Sequence, residues 1–136
     1  MVDRILPQSN EDSQPFWDAV KARRLDIQTC ADCGKLRHYP RPVCSDCYSM
    51  NVAWTTVSGR GTVHSWTVCH QAFHPAFADD VPFTMVTVDL EEGVRIAGRL
   101  DGIDDATMEI GMPVEVDFEE VGDNVTLPIF RRRGEI

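Results

Sequence analysis

Two Cys-x-x-Cys pairs, Cys30–Cys33 and Cys44–Cys47, stand in this chain with ten residues between them. A pair at that spacing closes a tight knuckle whose thiolates converge on one point. Two facing knuckles supply the four corners of a tetrahedron, the donor set that Zn²⁺ accepts from sulfur. Two unrelated thiol pairs would leave that match of spacing without a cause. Iron is the competing metal, since rubredoxins also use paired Cys-x-x-Cys. Gly34 follows the first pair, but Tyr48 follows the second where rubredoxins usually carry glycine, so zinc is expected. Four sulfurs leave zinc no position for water. Cys30, Cys33, Cys44 and Cys47 are therefore expected to hold a structural ion, not to activate a nucleophile.

The rest of the composition limits what surrounds this site. At 136 residues and 43% hydrophobic content the chain suits one domain, or a small domain with an appended module. No apolar run reaches the roughly 18 to 20 residues needed to cross a bilayer, and the first residues carry no apolar signal segment. Four cysteines in metal spacing and one left over, Cys69, suit a reducing cytoplasm better than a disulfide scaffold. The formal charge of −9 is unevenly spread: residues 1–47 hold seven basic and seven acidic side chains, and residues 48–136 hold six and fifteen. An acidic second half repels phosphate backbones, which weighs against nucleic acid. Lys35, Arg37 and Arg41 lie inside the motif and either offset the excess charge of four thiolates or form a solvated basic face.

Along the chain, residues 1–14 read as a polar, flexible arm. Ser13 or Gln14 is placed to cap a short helix that opens at Pro15, with Phe16, Ala19, Val20 and Arg23 on one face. Alternation from Leu25 sets Leu25, Ile27 and Thr29 against Asp26 and Gln28, a strand that delivers Cys30 to the metal. Leu36–Tyr39 reads as the return strand, which completes the layout of a zinc ribbon. From residue 51 onward strands are expected at 52–57, 62–70, 83–90, 94–100, 114–121 and 125–130. In the second of these, His64, Trp66 and Val68 are expected on one face. About five strands with an irregular link between the third and fourth suit a small closed barrel of oligonucleotide/oligosaccharide-binding (OB) type. The expected division is a 1–14 arm, a 15–50 helix and zinc ribbon, and a 51–136 barrel.

Other chemistry is weakly indicated. Strand alternation sends Cys69 and His70 to opposite faces, and Phe73-His74-Pro75 is a poor helix on which to bring His70 and His74 together. Trp54, Trp66 and Phe83 could stack bases in an OB barrel, but that half lacks a basic groove, and they are expected in the core. Arg131-Arg132-Arg133 reads as a solvated basic tail.

Taken in order, PFWDAV, LDIQTCADCG, PRPVCSDC, VSGRGTVHSWTV and IGMPVEVDF resemble the bacterial and archaeal zinc-ribbon/OB-fold proteins catalogued as "domain of unknown function 35", across roughly Pro15 to Arg131. The resemblance implies a mainly β protein with an N-terminal helix, a rubredoxin-like zinc ribbon and a C-terminal five-stranded OB barrel. It also implies an accessory subunit that pairs with a thiolase-like enzyme (thiolase or aldolase) or an acyl-CoA hydratase, in lipid or steroid side-chain metabolism. Under it Cys30, Cys33, Cys44 and Cys47 match the metal ligands, and no residue transfers as catalytic. Coenzyme A carries several phosphates, and Lys35, Arg37, Arg41 and Arg60 are the cations that could meet them. The alternative function is a stand-alone OB-fold protein for single-stranded nucleic acid.

Overall fold

The computed structural model describes residues 7–72, 74–103, 105–121 and 125–133, apart from the side chains of Phe77 and Asp105. Residues 1–6 of the expected arm and the expected 122–124 turn lie outside these. The rest of the arm closes a small turn in which the Asn10 amide donates to Ser13 Oγ and the Ser13 amide to Asn10 Oδ1, each at 3.0 Å. Ser13 thereby precedes helix α1 (Gln14–Lys21) without a side-chain bond into it, and Pro15 occupies the first turn, where its missing N–H costs nothing. Eight residues make too short a helix to persist alone. It is held by burying Phe16, Ala19 and Val20. Arg23, expected on that face, falls beyond the helix and is exposed.

Strand β1 (Leu25–Cys30) is the centre of a three-stranded antiparallel sheet, between β2 (Leu36–Arg37) and β3 (Val52–Val57). The return strand is shorter than the expected 36–39, because His38 and Tyr39 turn their rings onto Phe16, at 4.9 and 6.1 Å between centroids. Strand β3 pairs with β1 over its whole length, from Leu25↔Val57 to Cys30↔Val52. It thus belongs to the ribbon's sheet, although the strand series beginning there was expected to build the barrel.

The barrel is built from β4 (Arg60–Cys69), β5 (Phe83–Leu90), β6 (Arg95–Leu100), β7 (Pro113–Val121) and β8 (Val125–Arg132), closed in the order β4-β5-β6-β8-β7. Strand β6 meets β8 in parallel through Arg99↔Ile129 and Leu100↔Phe130, and the irregular link between the third and fourth barrel strands makes that order possible. Closure of β4 on β7 runs through Gly61↔Val114. A Cβ on Gly61 would lie 2.4 Å from the Asp89 carbonyl oxygen, so β4 can turn from one neighbour to the other only with glycine there.

The expected face of β4 needs correction. A bulge between Val63 and Ser65 shifts the pairing, so Trp66 sits opposite Val86 as Val63 sits opposite Val88. The extra residue moves Trp66 to the core side with Val63, and leaves His64 outside. The arginine tail is also not merely solvated. β8 continues through Arg132, Arg131 pairs with Asp117 at 2.7 Å and Asp101 at 3.1 Å, and Arg133 reaches Glu91 at 3.0 Å. One hydrophobic core joins the two sheets: Phe16, Val20 and Ile27 pack in the same cluster as Val63, Val88 and Phe130. Helix α1 is the wedge between ribbon and barrel. Among the described residues no helix is long and apolar enough to cross a membrane.

Candidate metal centre

The two knuckles are built as near copies of each other. In the first, the Cys30 amide donates to the Lys35 carbonyl and the Gly34 amide to the Cys30 carbonyl, both at 2.9 Å. In the second, the Cys44 amide donates to the Ser49 carbonyl at 2.9 Å and the Tyr48 amide to the Cys44 carbonyl at 3.0 Å. Each turn closes through a residue of positive φ, 79° at Gly34 and 62° at Tyr48. Backbone amides then face sulfur: Cys33 N–H to Cys30 Sγ and Asp46 N–H to Cys44 Sγ, each at 3.4 Å.

The four sulfurs lie within 4.8 Å of one another, with Cys30–Cys47 at 3.5 Å and Cys33–Cys44 at 3.6 Å. Tetrahedral sulfurs on a roughly 2.3 Å zinc–sulfur bond stand about 3.8 Å apart, so the cage has the right size for one ion. Its electrostatics ask for a cation as well. The amide of Cys33 holds the Cys30 thiol down at about 6 despite its desolvation. The amide of Ser49 acts in the same sense on Cys47, but the Cys30 sulfur beside it and burial push that thiol up to about 12. Four sulfurs this close cannot all ionise without positive charge among them. Cys30 and Cys44 are buried while Cys33 and Cys47 reach the surface, so the ion would sit at the edge of the fold.

Beneath the knuckles lies a polar contact that alternation places wrongly. Gln28, expected outward beside Asp26, is 1% exposed. Its Oε1 accepts from Arg37 Nε on the neighbouring strand and from the Arg41 amide at 2.7 Å, while Arg37 Nη2 donates to the Arg41 carbonyl at 3.1 Å. A central strand is covered on both faces, one by α1 and the other here by the 37–41 segment, so period-two polarity does not apply. The sequence offered one signal, the pairing of a long amide on one strand with a guanidinium on the next.

The four cations considered for phosphate fare differently. Lys35 Nζ is 2.9 Å from Asp46, which raises its pKa. Arg37 is buried on Gln28. The side chains of Arg41 and Arg60 are exposed, with no side-chain hydrogen bond or ion pair among the described residues. Of the remaining reactive groups, His74 Nδ1 accepts from the Ala76 amide at 3.0 Å, and Cys69 is half-buried at the end of β4.

His38 gives a pH prediction. Its Nδ1 is buried without a partner against Phe16, and burial lowers its pKa from 6.5 to about 4. Between those values the unfolded chain takes up a proton that the folded chain refuses. Stability is therefore lost as pH falls through 6.5. Against His38→Phe, the wild type should lose about 2 kcal/mol on going from pH 7 to 5, read as the difference between their denaturation midpoints at the two pH values. Parallel pH profiles would show that His38 titrates freely.

A four-sulfur ribbon joined through one helix to a closed five-stranded barrel defines the class, a zinc-ribbon/OB-fold protein. Residues 17–52 match the family model described as ChsH2, rubredoxin-like zinc ribbon domain, and residues 54–119 match ChsH2, C-terminal OB-fold domain. Two curated hydratase subunits are each 44% identical: a probable enoyl-CoA hydratase alpha subunit of Thermomonospora curvata, over 94% of this chain and 40% of that one, and the 3-oxo-4,17-pregnadiene-20-carboxyl-CoA hydratase alpha subunit of Mycobacterium tuberculosis, over 88% and 37%. The chain thus spans about two fifths of the length of these relatives. A solved structure, "Ltp2-ChsH2(DUF35) aldolase", superposes with a TM-score of 0.84 at 42% identity, covering 93% of this chain and 98% of that one. The chain belongs to this DUF35 family, of the ChsH2 kind.

Proposed function

We propose that this chain is a non-catalytic accessory subunit. It binds and supports a thiolase-like enzyme (thiolase or aldolase) or a hydratase that acts on acyl-CoA, in lipid or steroid side-chain metabolism. The observation that carries the reading is the 42% identity, over 98% of its length, to the ChsH2(DUF35) chain of a solved aldolase. The hydratase subunits support the acyl-CoA class of substrate, and one of them a steroid one.

In this reading Cys30, Cys33, Cys44 and Cys47 hold a structural Zn²⁺, a role that suits the cage size, the all-sulfur donor set and a reducing cytoplasm. When bound, the ion supplies charge neutralisation and cross-linking. The chain's own residues do the rest: the knuckles fix the ends of β1 and β3, Phe16 and Trp17 fix the helix on the ribbon, and the helix fixes the ribbon on the barrel. A division into a ribbon unit and a barrel unit is part of the proposal, with β3, which pairs with β1, counted in the ribbon in place of the expected boundary at 50/51. If the subunit also touches coenzyme A, Arg41 and Arg60 are the first of the four cations to consider, because Lys35 must leave Asp46 and Arg37 must leave Gln28.

The test is size exclusion after co-expression with Ltp2, the other protein in that aldolase's name, and in parallel with an acyl-CoA hydratase partner subunit. A stable heteromeric peak with either is the expected result. A chain that always elutes by itself removes the basis of the proposal.

A further inference from the structure

The two knuckles repeat each other's hydrogen bonds but close with different residues. Glycine at the left-handed position of the first is free of cost, whereas a tyrosine in the second pays a backbone penalty in every folded molecule. Among the described residues that tyrosine gains nothing in return. Tyr48 is 78% exposed, and no hydrogen bond or ring contact holds its side chain among the described residues. Met50, two residues on, is 71% exposed, and Val52 follows at 39%.

The segment that carries the three is held by a polar clamp. Asp32, from the first knuckle, accepts hydrogen bonds from Ser49 Oγ and from Asn51 Nδ2, the latter at 3.0 Å, and the Asn51 amide donates to Ser49 Oγ at 3.0 Å. The main chain is pinned as well, by the Cys44 amide on the Ser49 carbonyl and the Ala31 amide on the Asn51 carbonyl, each at 2.9 Å. Within this pinned segment Tyr48, Met50 and Val52 are the apolar side chains left exposed. The main chain that carries these side chains is thus fixed before anything meets it, which lowers the ordering cost of association.

We propose that Tyr48, Met50 and Val52 form the docking surface on this chain for its enzyme partner, and that the partner meets them with an apolar recess rimmed by Lys or Arg. The inference rests on the accessory-subunit reading above. The charge of the face selects this occupant over a second copy of the chain. Exposed Asp32 flanks the surface, four thiolates exceed the charge of a divalent ion by two, and Lys35, the nearby cation, is already taken up by Asp46. Two copies meeting here would oppose like charges, while a basic rim complements them.

The test measures affinity for purified Ltp2 of the zinc-loaded wild-type chain, Tyr48→Gly, Met50→Ser and the double variant. Ile110→Ser serves as a control, since Ile110 is 68% exposed and belongs to the link between barrel strands β6 and β7. Each ribbon variant should weaken binding at least tenfold and the double variant more than a hundredfold, with zinc content unchanged and the control within twofold of wild type. Tyr48→Gly should melt no lower than wild type, because glycine adopts that φ freely. Loss of affinity together with a lower melting point would make Tyr48 structural and overturn the proposal. So would variants that bind like wild type, or a self-association of the free wild-type chain that the variants abolish. Failure of wild type and all variants alike to bind Ltp2 would instead overturn the partner reading on which the proposal rests.

Discussion

Stripping the metal with a strong chelator, or replacing Cys33 by Ser, should unfold residues 30–51 while the barrel keeps its strands. Zinc binding in small tetrahedral peptides is worth about 10–16 kcal/mol, far more than the handful of backbone hydrogen bonds the two knuckles make by themselves. Sequence alone suggests that residues 25–50 melt as one block. The shared core narrows that block, because Leu25 and Ile27 are buried with Phe16, and β3 pairs with β1 over six residues. Hydrogen exchange on the metal-free chain should lose protection at the Cys30, Gly34, Cys44 and Tyr48 amides and keep it in β4, β5 and β8. Near-native protection throughout the ribbon after complete chelation would sink the structural-metal reading. The purified protein should also be colourless, since a red one would hold iron.

Replacing Gln28 by Leu should be the most damaging single change outside the cysteines that keeps side-chain size. It leaves the buried Arg37 guanidinium, and the part-buried Arg41 amide, without their acceptor. Stripping one partner from a buried charged contact costs about 3 kcal/mol or more, because the charge left behind is desolvated and uncompensated. Arg37→Met in the same chain should recover much of that loss, since a pair replaced by apolar groups of similar shape strands nothing. Urea midpoints of the two single variants and the double variant form the cycle. Additive losses would show that Gln28 and Arg37 do not act together.

What could be read from the residues followed the strength of the local signal. Cysteine spacing is set by knuckle geometry, which no tertiary contact needs to rescue, and the four sulfurs converge as the spacing requires. The helix face Phe16-Ala19-Val20 and the β5–β6 hairpin across Glu91-Glu92-Gly93 were also legible, because each is a local pattern bounded by a residue that breaks it. Gln28 was misread because alternation assumes one wet face, and β1 has none. Trp66 lies against the core as expected, but its grouping with His64 on one face was wrong, because a single bulged residue reverses every later face of β4 and no bulge signal stands in the sequence between Val63 and Ser65. Strand β3 carries no mark of which sheet it joins. That choice is made by β1, which it meets only after the knuckles have turned the chain back. The arginine tail looked solvated because its partners, Asp101, Asp117 and Glu91, lie far away in sequence.

The claim that this chain supports chemistry without performing it is tested most directly by turnover of the assembled enzyme. Outside the metal cage, Cys69, His70 and His74 are the side chains most capable of nucleophilic or acid–base work. The complex reconstituted with Cys69→Ala/His70→Ala/His74→Ala should turn over its acyl-CoA substrate with kcat within about twofold of wild type. A loss of roughly a hundredfold or more, the scale on which general acid–base catalysts act, with the complex intact would contradict the account.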